Sequence, residues 1–525
     1  MTDIRASSRL MMIGAIVAYF LLWLGPRVAP IKANVLMAED FGCSPEVHLK
    51  SYRPLLAADL ALWNFVLGPE YLRSRLPKIF AGIYLALSAG ITLSLLRRWG
   101  APLSVAFIMP VFFLAHPIVN QLSLWNLITG LNLAMLLILA GYWIMKDASS
   151  APMNIAAFSV LLWGLCGYQL YAAMFPVLLV GEFMIRRLHG TPMPRREIAR
   201  KVAVMVLVTV FYAAYVVVSQ RFFRLHDYGD RGFISPATMT VSSYLHDKWH
   251  GMTNMFANVF QPLISYYFGI NAAWFAWKWV PVVIGGATFV CAALRKRRIG
   301  DVLIFSLSPL VLPGLTTLVL LPMSVTPSGW RVCGPVLFAF CLSLVPALSL
   351  VFGVDASPEG NNPGSGLSLV KGAELVAVVL LAILLSYPVT AYDGRLRVSG
   401  KEKQLAVLKG IEQFWAEQGV VKERFAVTAW PEVKWGPSRY VVPGENKDIV
   451  VNFRKVSAVD YSSLLAQFWA PFAAYYGFNT IDGSRISPGL TRRLESLCAS
   501  ADKGQYGLPL AVTHLEAEKI SVICR

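Results

Sequence analysis

About eleven times along this chain, roughly 20 residues pass with almost no charged side chain. The stretches are 10–30, 77–96, 101–118, 127–145, 152–168, 170–186, 202–220, 275–294, 302–322, 332–352 and 371–391. A helix needs about that length to cross hydrocarbon, where every backbone polar group must be satisfied within the segment. Such a recurrence excludes soluble globular, disordered, collagenous and coiled-coil chains. Composition agrees: of 525 residues, 56% are hydrophobic and 15% charged, against roughly 25% charged in an ordinary soluble domain. The first stretch follows Arg5 and Arg9 as a signal peptide would. It has no small-residue cleavage site and further spans follow, so it reads as a retained helix. The expectation is an α-helical polytopic membrane protein.

The net charge of +17 belongs, in such a chain, to cytoplasmic loops and anionic lipid rather than to nucleic acid. Dense clusters abut span ends at Arg97-Arg98, Lys146, Arg186-Arg187, Arg195-Arg196, Arg200-Lys201 and Arg295-Lys296-Arg297-Arg298. They place the N-terminus inside, and an odd number of spans then places the C-terminus outside. Arg53, Arg73, Arg75, Lys78, Arg221 and Arg224 fall in the longer outer loops.

Two apolar stretches do not read as spans. Residues 54–68 are too short and contain Asp59, and residues 251–272 are aromatic and spotted with polar side chains. Both suit helices at the membrane surface or lids packed on their neighbours. Residues 1–391 therefore form the membrane body. From 392 to 525 the chain carries eighteen basic and fourteen acidic residues, as a small soluble α/β domain would. Its helical stretches are 401–418 and 460–475, and its strand-like runs Arg424–Ala429, Asp448–Phe453 and Ile520–Cys524. Residues 356–368 read as a loop. The seven cysteines include no CxxC pair, so no metal-ligand spacing is present. If the tail lies outside, a disulfide between Cys498 and Cys524 is allowed; two buried thiols are the alternative.

Ionisable groups at membrane depth are costly and tend to be functional. On the outer face of this topology fall Glu39-Asp40, Tyr52-Arg53-Pro54, His116 with Asn120 and Gln121, Tyr168-Gln169 with Tyr171, and Arg331. Adjacent carboxylates beside a low-dielectric surface repel each other, which suits one of them to act as a general base. Arginines can hold a phosphate through charge-assisted bonds. Together these are the parts needed to transfer a sugar from a polyprenyl phosphate to a hydroxyl. Each also has a plain alternative. The acidic pair can be a solvated loop, Arg53 and Arg331 headgroup anchors, His116 a helix end, and Gln169 a helix–helix hydrogen bond.

At these residues the chain resembles the serotype-converting O-antigen glucosyltransferases of bacteria and their phages, polytopic glycosyltransferases of the GT-C type. The resemblance lies in MAEDFGCSPEVHLKSYRPLLAADLALWNFVLG, HPIVNQLSLWNLITGLNLAMLLILAGYW and GLCGYQLYAAMFPVLLV. It covers roughly the first 190 residues, and the next 200 by hydropathy alone. The family's acidic pair maps onto Glu39-Asp40, its Arg-Pro onto Arg53-Pro54, and its Tyr-Gln onto Tyr168-Gln169. The first acidic position is Glu where the family has Asp, so Asp40 is read as the base with Glu39 assisting. The substrate would be bound by Tyr52, Arg53, His116, Asn120, Tyr168, Gln169 and Arg331. The resemblance implies an undecaprenyl-phosphate glucose donor, or a similar sugar, on the periplasmic leaflet of the inner membrane. It implies an O-antigen or other lipid-linked or surface glycan as acceptor, inversion at the anomeric carbon, and a donor synthase and a flippase as partners. No cofactor is expected, and the outside C-terminus of the charge-based topology makes the tail periplasmic.

Two other readings compete. A polymerase or ligase of lipid-linked glycans would share this layout. A transporter or flippase would be expected to show two related halves and polar groups near the midplane, and neither is evident here.

Overall fold

The computed structural model describes residues 2–34, 45–68, 71, 74–124, 129–147, 150–222, 241–268, 279–295, 297–317, 333–351, 369–417, 424–427, 440–441, 448–449, 511–515 and 520–524. The chain divides into two compact units. The first is Met1–Val28 with Ser44–Ala391, and the second is Ala29–Cys43 with Tyr392–Arg525.

In chain order the helices are α1 (Thr2–Leu24), α2 (Val28–Lys32), α3 (Pro45–Lys50), α4 (Pro54–Leu67), α5 (Leu76–Arg98), α6 (Leu103–Ala115), α7 (Ile118–Ser123) and α8 (Thr129–Asp147). They continue with α9 (Ala151–Gly167), α10 (Met174–Leu188), α11 (Arg195–Phe222), α12 (Val241–Phe268), α13 (Val280–Leu294), α14 (Ile299–Leu315), α15 (Cys333–Val351) and α16 (Leu369–Glu417). A 3-10 turn, Gln169–Ala173, leads into α10. Each of the apolar stretches is mainly helical where it is described, with breaks at Ala101-Pro102, His116-Pro117 and Tyr168. Five helical segments among the described residues are long and apolar enough to cross a membrane: Leu10–Lys32, Leu76–Arg98, Gln169–Leu188, Arg195–Ser219 and Cys333–Leu350. Five further expected spans appear as shorter apolar helices, Leu103–Ala115, Thr129–Met145, Ala151–Gly167, Val280–Leu294 and Ile299–Leu315.

The helices bury one face and leave another apolar. On α1, Tyr19 and Trp23 are buried while Leu10, Ile13, Val17 and Leu21 stay exposed. That exposed stripe has helical spacing, which is a liability in water and a lipid-facing surface in a bilayer. In the first unit α8 packs on α5 and α9, α14 packs between α13 and α15, and α15 also meets α6, α10 and α12. Helices associate in lipid by close packing of small residues. A Cβ on Gly285 of α13 would lie 2.5 Å from the Ser306 carbonyl of α14, so only glycine allows that approach.

The two non-spanning stretches are helical, with buried faces. On α4, Leu56, Ala57, Asp59, Leu60 and Trp63 are buried, whereas Leu62, Phe65 and Val66 are exposed. Residues 251–268 belong to the longer α12. Its Met255, Ala257, Val259 and Phe260 are buried, and Phe260 meets Phe340 of α15 edge-on at 4.6 Å. The middle of α12 is therefore packed on a neighbour rather than laid on a surface; residues 269–272 lie outside the described residues.

In the second unit, β1 (Arg424–Val427), β4 (Ala511–Leu515) and β5 (Ile520–Cys524) form a sheet in the order β1-β5-β4. β5 runs parallel to β1 and antiparallel to β4. β2 (Tyr440–Val441) pairs antiparallel with β3 (Asp448–Ile449). The stretch 460–475, the loop 356–368, and the side chains of Cys498 and Cys524 lie outside the described residues.

Candidate functional site

The site grows from a turn between two short helices. α3 ends in a Schellman motif: the Arg53 N–H reaches the His48 carbonyl at 2.9 Å, and the Tyr52 N–H reaches Leu49 at 2.9 Å. The motif needs a left-handed residue, usually glycine, at its turn. Here Tyr52 fills that position with φ 58°, a strained choice for a bulky side chain. Its surroundings hold it there, since Tyr52 is buried and its carbonyl accepts the Tyr212 hydroxyl of α11 at 2.8 Å. Immediately after Arg53, Pro54 starts α4 with its φ already set. The backbone of Arg53 is thus fixed on both sides.

The side chain is fixed by residues more than a hundred positions away. α9 ends at Gly167, Tyr168 is extended, and Gln169 opens the 3-10 turn into α10. Gln169 Oε1 accepts from Arg53 Nε at 3.1 Å. Gln169 Nε2 donates to the Ser51 carbonyl at 3.1 Å. One amide therefore grips both the turn and its arginine. The guanidinium lies over the Tyr168 ring, 5.1 Å from its centre, and Tyr168 meets Tyr171 edge-on at 5.4 Å. Tyr171 is buried. A Cβ on Gly334, in the first turn of α15, would lie 4.0 Å from the Tyr171 hydroxyl. Tyr52, Arg53, Tyr168 and Gln169 are thus brought together, beside the helix that begins two residues after Arg331.

α4 is seated by the residue that excluded it as a span. Asp59 is buried and accepts a hydrogen bond from the Gly130 N–H. Gly130 lies in the first turn of α8, where amides have no partner within their own helix. Burial pushes the Asp59 carboxyl up to about 6, against the lowering effect of that bond. The approach is close: a Cβ on Gly130 would come within 2.8 Å of Leu56 and 3.3 Å of Asp59.

His116 and Asn120 join a different, fully buried network. His116 Nδ1 accepts from the Ile118 N–H at 3.2 Å, so Nε2 carries the proton and donates to the Val259 carbonyl at 2.8 Å. Asn120 Nδ2 donates to the Thr390 carbonyl at 3.0 Å. Arg27 joins them, its Nη1 donating to the Trp23 carbonyl at 2.8 Å and its Nη2 to the His116 carbonyl at 3.3 Å. With both ring nitrogens of His116 engaged by backbone, this geometry makes the residue a pin between helices. Glu39, Asp40 and Arg331 lie outside the described residues.

Among the described residues the largest ion-pair network lies away from the expected substrate-binding residues. Glu182 of α10 is fully buried. It accepts from the Tyr142 hydroxyl at 2.5 Å, from Lys201 Nζ at 2.6 Å and from Arg186 at 3.3 Å. Glu197 bridges the same Arg186 at 2.9 Å and Lys201 at 2.9 Å. An acid within the otherwise apolar run 174–185 was the available signal. Lys78, placed by sequence among outer-loop cations, is fully buried in the first turn of α5. Among the described residues no cluster of three or more His, Cys, Asp or Glu could hold a metal.

No family model matches the chain, and no curated protein matches it. Among solved structures it is similar to ArnT from Cupriavidus metallidurans bound to undecaprenyl phosphate. The TM-score is 0.42 and the identity 13%, over 98% of this chain and 97% of that one. At that level of likeness nothing known of that protein transfers to this one.

Proposed function

We propose that the protein is a membrane glycosyltransferase that moves a sugar, glucose or a close relative, from a polyprenyl phosphate to a glycan on the outer face of the inner membrane. The observation carrying this reading is the grip of Gln169 and Tyr168 on Arg53 at the start of a short apolar-faced helix. A guanidinium has five N–H donors, enough to hold Gln169 and a phosphate together. Its orientation is fixed before any ligand arrives, so little ordering is left for binding to impose. Arg331, from the segment preceding α15, supplies a second cation in this reading.

In the reaction, an acceptor hydroxyl attacks the anomeric carbon while the bond from that carbon to the phosphate oxygen breaks. Configuration inverts in one displacement. Asp40 takes the hydroxyl proton, with Glu39 assisting, and the polyprenyl phosphate leaves under stabilisation by the arginines. The acceptor is an O-antigen or another lipid-linked glycan, and a donor synthase and a flippase supply the sugar lipid.

The test uses the protein in nanodiscs with a polyprenyl-phosphate hexose and a lipid-linked glycan. Asp40→Asn should lower turnover on the order of 10²- to 10⁴-fold with donor binding retained. Wild-type turnover in Asp40→Asn, Glu39→Gln and the double variant sinks the assignment of the base. Consumption of a pyrophosphate-linked glycan in place of the monosaccharide donor identifies a polymerase instead.

A further inference from the structure

One ion pair ties the end of α10 to the start of α14. Arg187, in the last turn of α10, donates from Nε to Asp301, in the first turn of α14, at 2.5 Å. The same helix ends share an apolar cluster of Leu188, Ala292, Val302, Phe305 and Leu350, so the pair belongs to a packed junction. Two more arginines stand there. Arg298 is the N-cap of α14 and is exposed, and the half-buried Arg297 precedes it. Burial pushes the His189 imidazole, just after α10, down to about 4, and the nearby charge of Arg297 pushes the same way. That histidine is neutral near pH 7, and three arginines gather around one carboxylate. The start of α14 adds to the cationic surplus. Its N-cap makes no side-chain bond, and the first amides of a helix have no partner within it, so together with the dipole they favour an anion. The apolar surroundings say which anion. Leu294 and Ile299, on either side of the arginines, are 78% and 80% exposed, and Leu303, Leu307 and Leu310 continue exposed along α14 at helical spacing. A dissolved anion has no use for such a stripe, whereas an acyl chain does.

We infer that this junction binds an anionic phospholipid, its phosphate held by Arg187, Arg297 and Arg298 at the start of α14 and an acyl chain lying along Ile299, Leu303 and Leu307. In the charge-based topology the lipid belongs to the cytoplasmic leaflet, where anionic headgroups attract basic segments. A guanidinium has five N–H donors, so the bond from Arg187 to Asp301 leaves others for a phosphate. Charge-assisted bonds of that kind are short and strong. A ligand that binds only the folded state stabilises it, and this one would clamp α10 to α14. The inference stands apart from the transferase reading.

The experiment uses the full-length protein in neutral detergent and compares wild type, the double variant Arg297→Gln/Arg298→Gln and the double variant Arg195→Gln/Arg196→Gln. Arg195 and Arg196 are exposed cations at the start of α11 and control for general surface charge. Thermal unfolding is followed as phosphatidylglycerol, phosphatidylcholine or inorganic phosphate is added, and native mass spectrometry counts the lipids retained. Phosphatidylglycerol should raise the wild-type midpoint and be retained, and phosphatidylcholine should do neither. Apparent affinity for phosphatidylglycerol should fall roughly ten- to a hundredfold in Arg297→Gln/Arg298→Gln and stay unchanged in the α11 control. Equal responses to the two lipids overturn the headgroup site. Equal losses in the two double variants overturn it too, by reducing binding to general surface charge. Stabilisation by inorganic phosphate as large as that by phosphatidylglycerol overturns the lipid in favour of a soluble anion. Where Arg297→Gln/Arg298→Gln is itself unstable without lipid, Leu303→Gln decides: it should weaken phosphatidylglycerol severalfold, and unchanged affinity overturns the acyl placement.

Discussion

Two charged clusters stand toward opposite ends of the helix that begins at Gln169, roughly 20 Å apart at 1.5 Å per residue. At the far end Glu182 and Glu197 face Arg186 and Lys201, and the four charges cancel inside one network. At the near end the Arg53 guanidinium donates to the Gln169 amide and lies over the Tyr168 ring. The first arrangement joins α10 and α11 to Tyr142 of α8 and asks nothing of a ligand. The second orients a cation by an amide and a ring, neither of which itself carries a charge. Burial alone therefore does not mark a functional charge; the chemistry of the partners does.

The sharpest way to break that contrast is Lys201→Met. Removing one partner from a buried pair leaves an uncompensated charge and costs about 3–5 kcal/mol. Unfolding in detergent should show the loss, and adding Glu182→Gln should recover much of it. A Lys201→Met protein of unchanged stability but lost transfer would move the far cluster into the mechanism. Next in size is Arg53→Ala. A hydrogen bond to a charged group contributes about 1.5–3 kcal/mol, so donor affinity should fall roughly ten- to a hundredfold with stability little altered. Lost stability with unchanged donor affinity would make both ends structural.

Much of this was legible in the chain. The apolar stretches became helices because hydrocarbon demands internal backbone pairing wherever such runs occur. Arg53, Tyr168 and Gln169 were each marked by an unusual residue type at a span end, and the structure joins them. His116 and Asn120 carried the same kind of mark, yet backbone carbonyls from Val259 and Thr390 occupy them. Partners supplied by backbone leave no trace in residue identity. Glu182 is legible only as a lone acid in an apolar run, and residue identity does not name Tyr142, Lys201 and Arg186 as its partners. Asp59 was visible only as an obstacle to a span. Its use as a cap for α8 needs Gly130, whose meaning appears only when the two helices touch.

The acid at the near end gives the third test. Burial raises Asp59 to about 6 in the folded protein, from an ordinary 3.8. Between about pH 4 and 6 the folded state holds a proton that the unfolded chain has released, so stability falls as pH rises through that window. Asp59→Asn keeps an acceptor for the Gly130 N–H and removes the titration. Its stability should be flat from pH 4 to 6 and higher than wild type at pH 7 by about 1–3 kcal/mol. The same slope in Asp59→Asn would assign the titration to another group.

The smallest expected effect separates a ring from a hydroxyl. If Tyr168 serves Arg53 through its π-face, then Tyr168→Phe keeps the interaction and Tyr168→Leu loses it. A partly desolvated cation–π contact contributes about 1 kcal/mol, so Leu should weaken donor binding about fivefold while Phe stays within about twofold of wild type. The same substitutions also change the edge-on contact with Tyr171, and Phe preserves that contact too. Equal losses in Phe and Leu would therefore shift the role from the ring to the hydroxyl. The ring would then contribute nothing to orienting Arg53 beside the Gln169 amide, and the orienting grip at the near end would be weaker than the contrast with the Glu182 cluster requires.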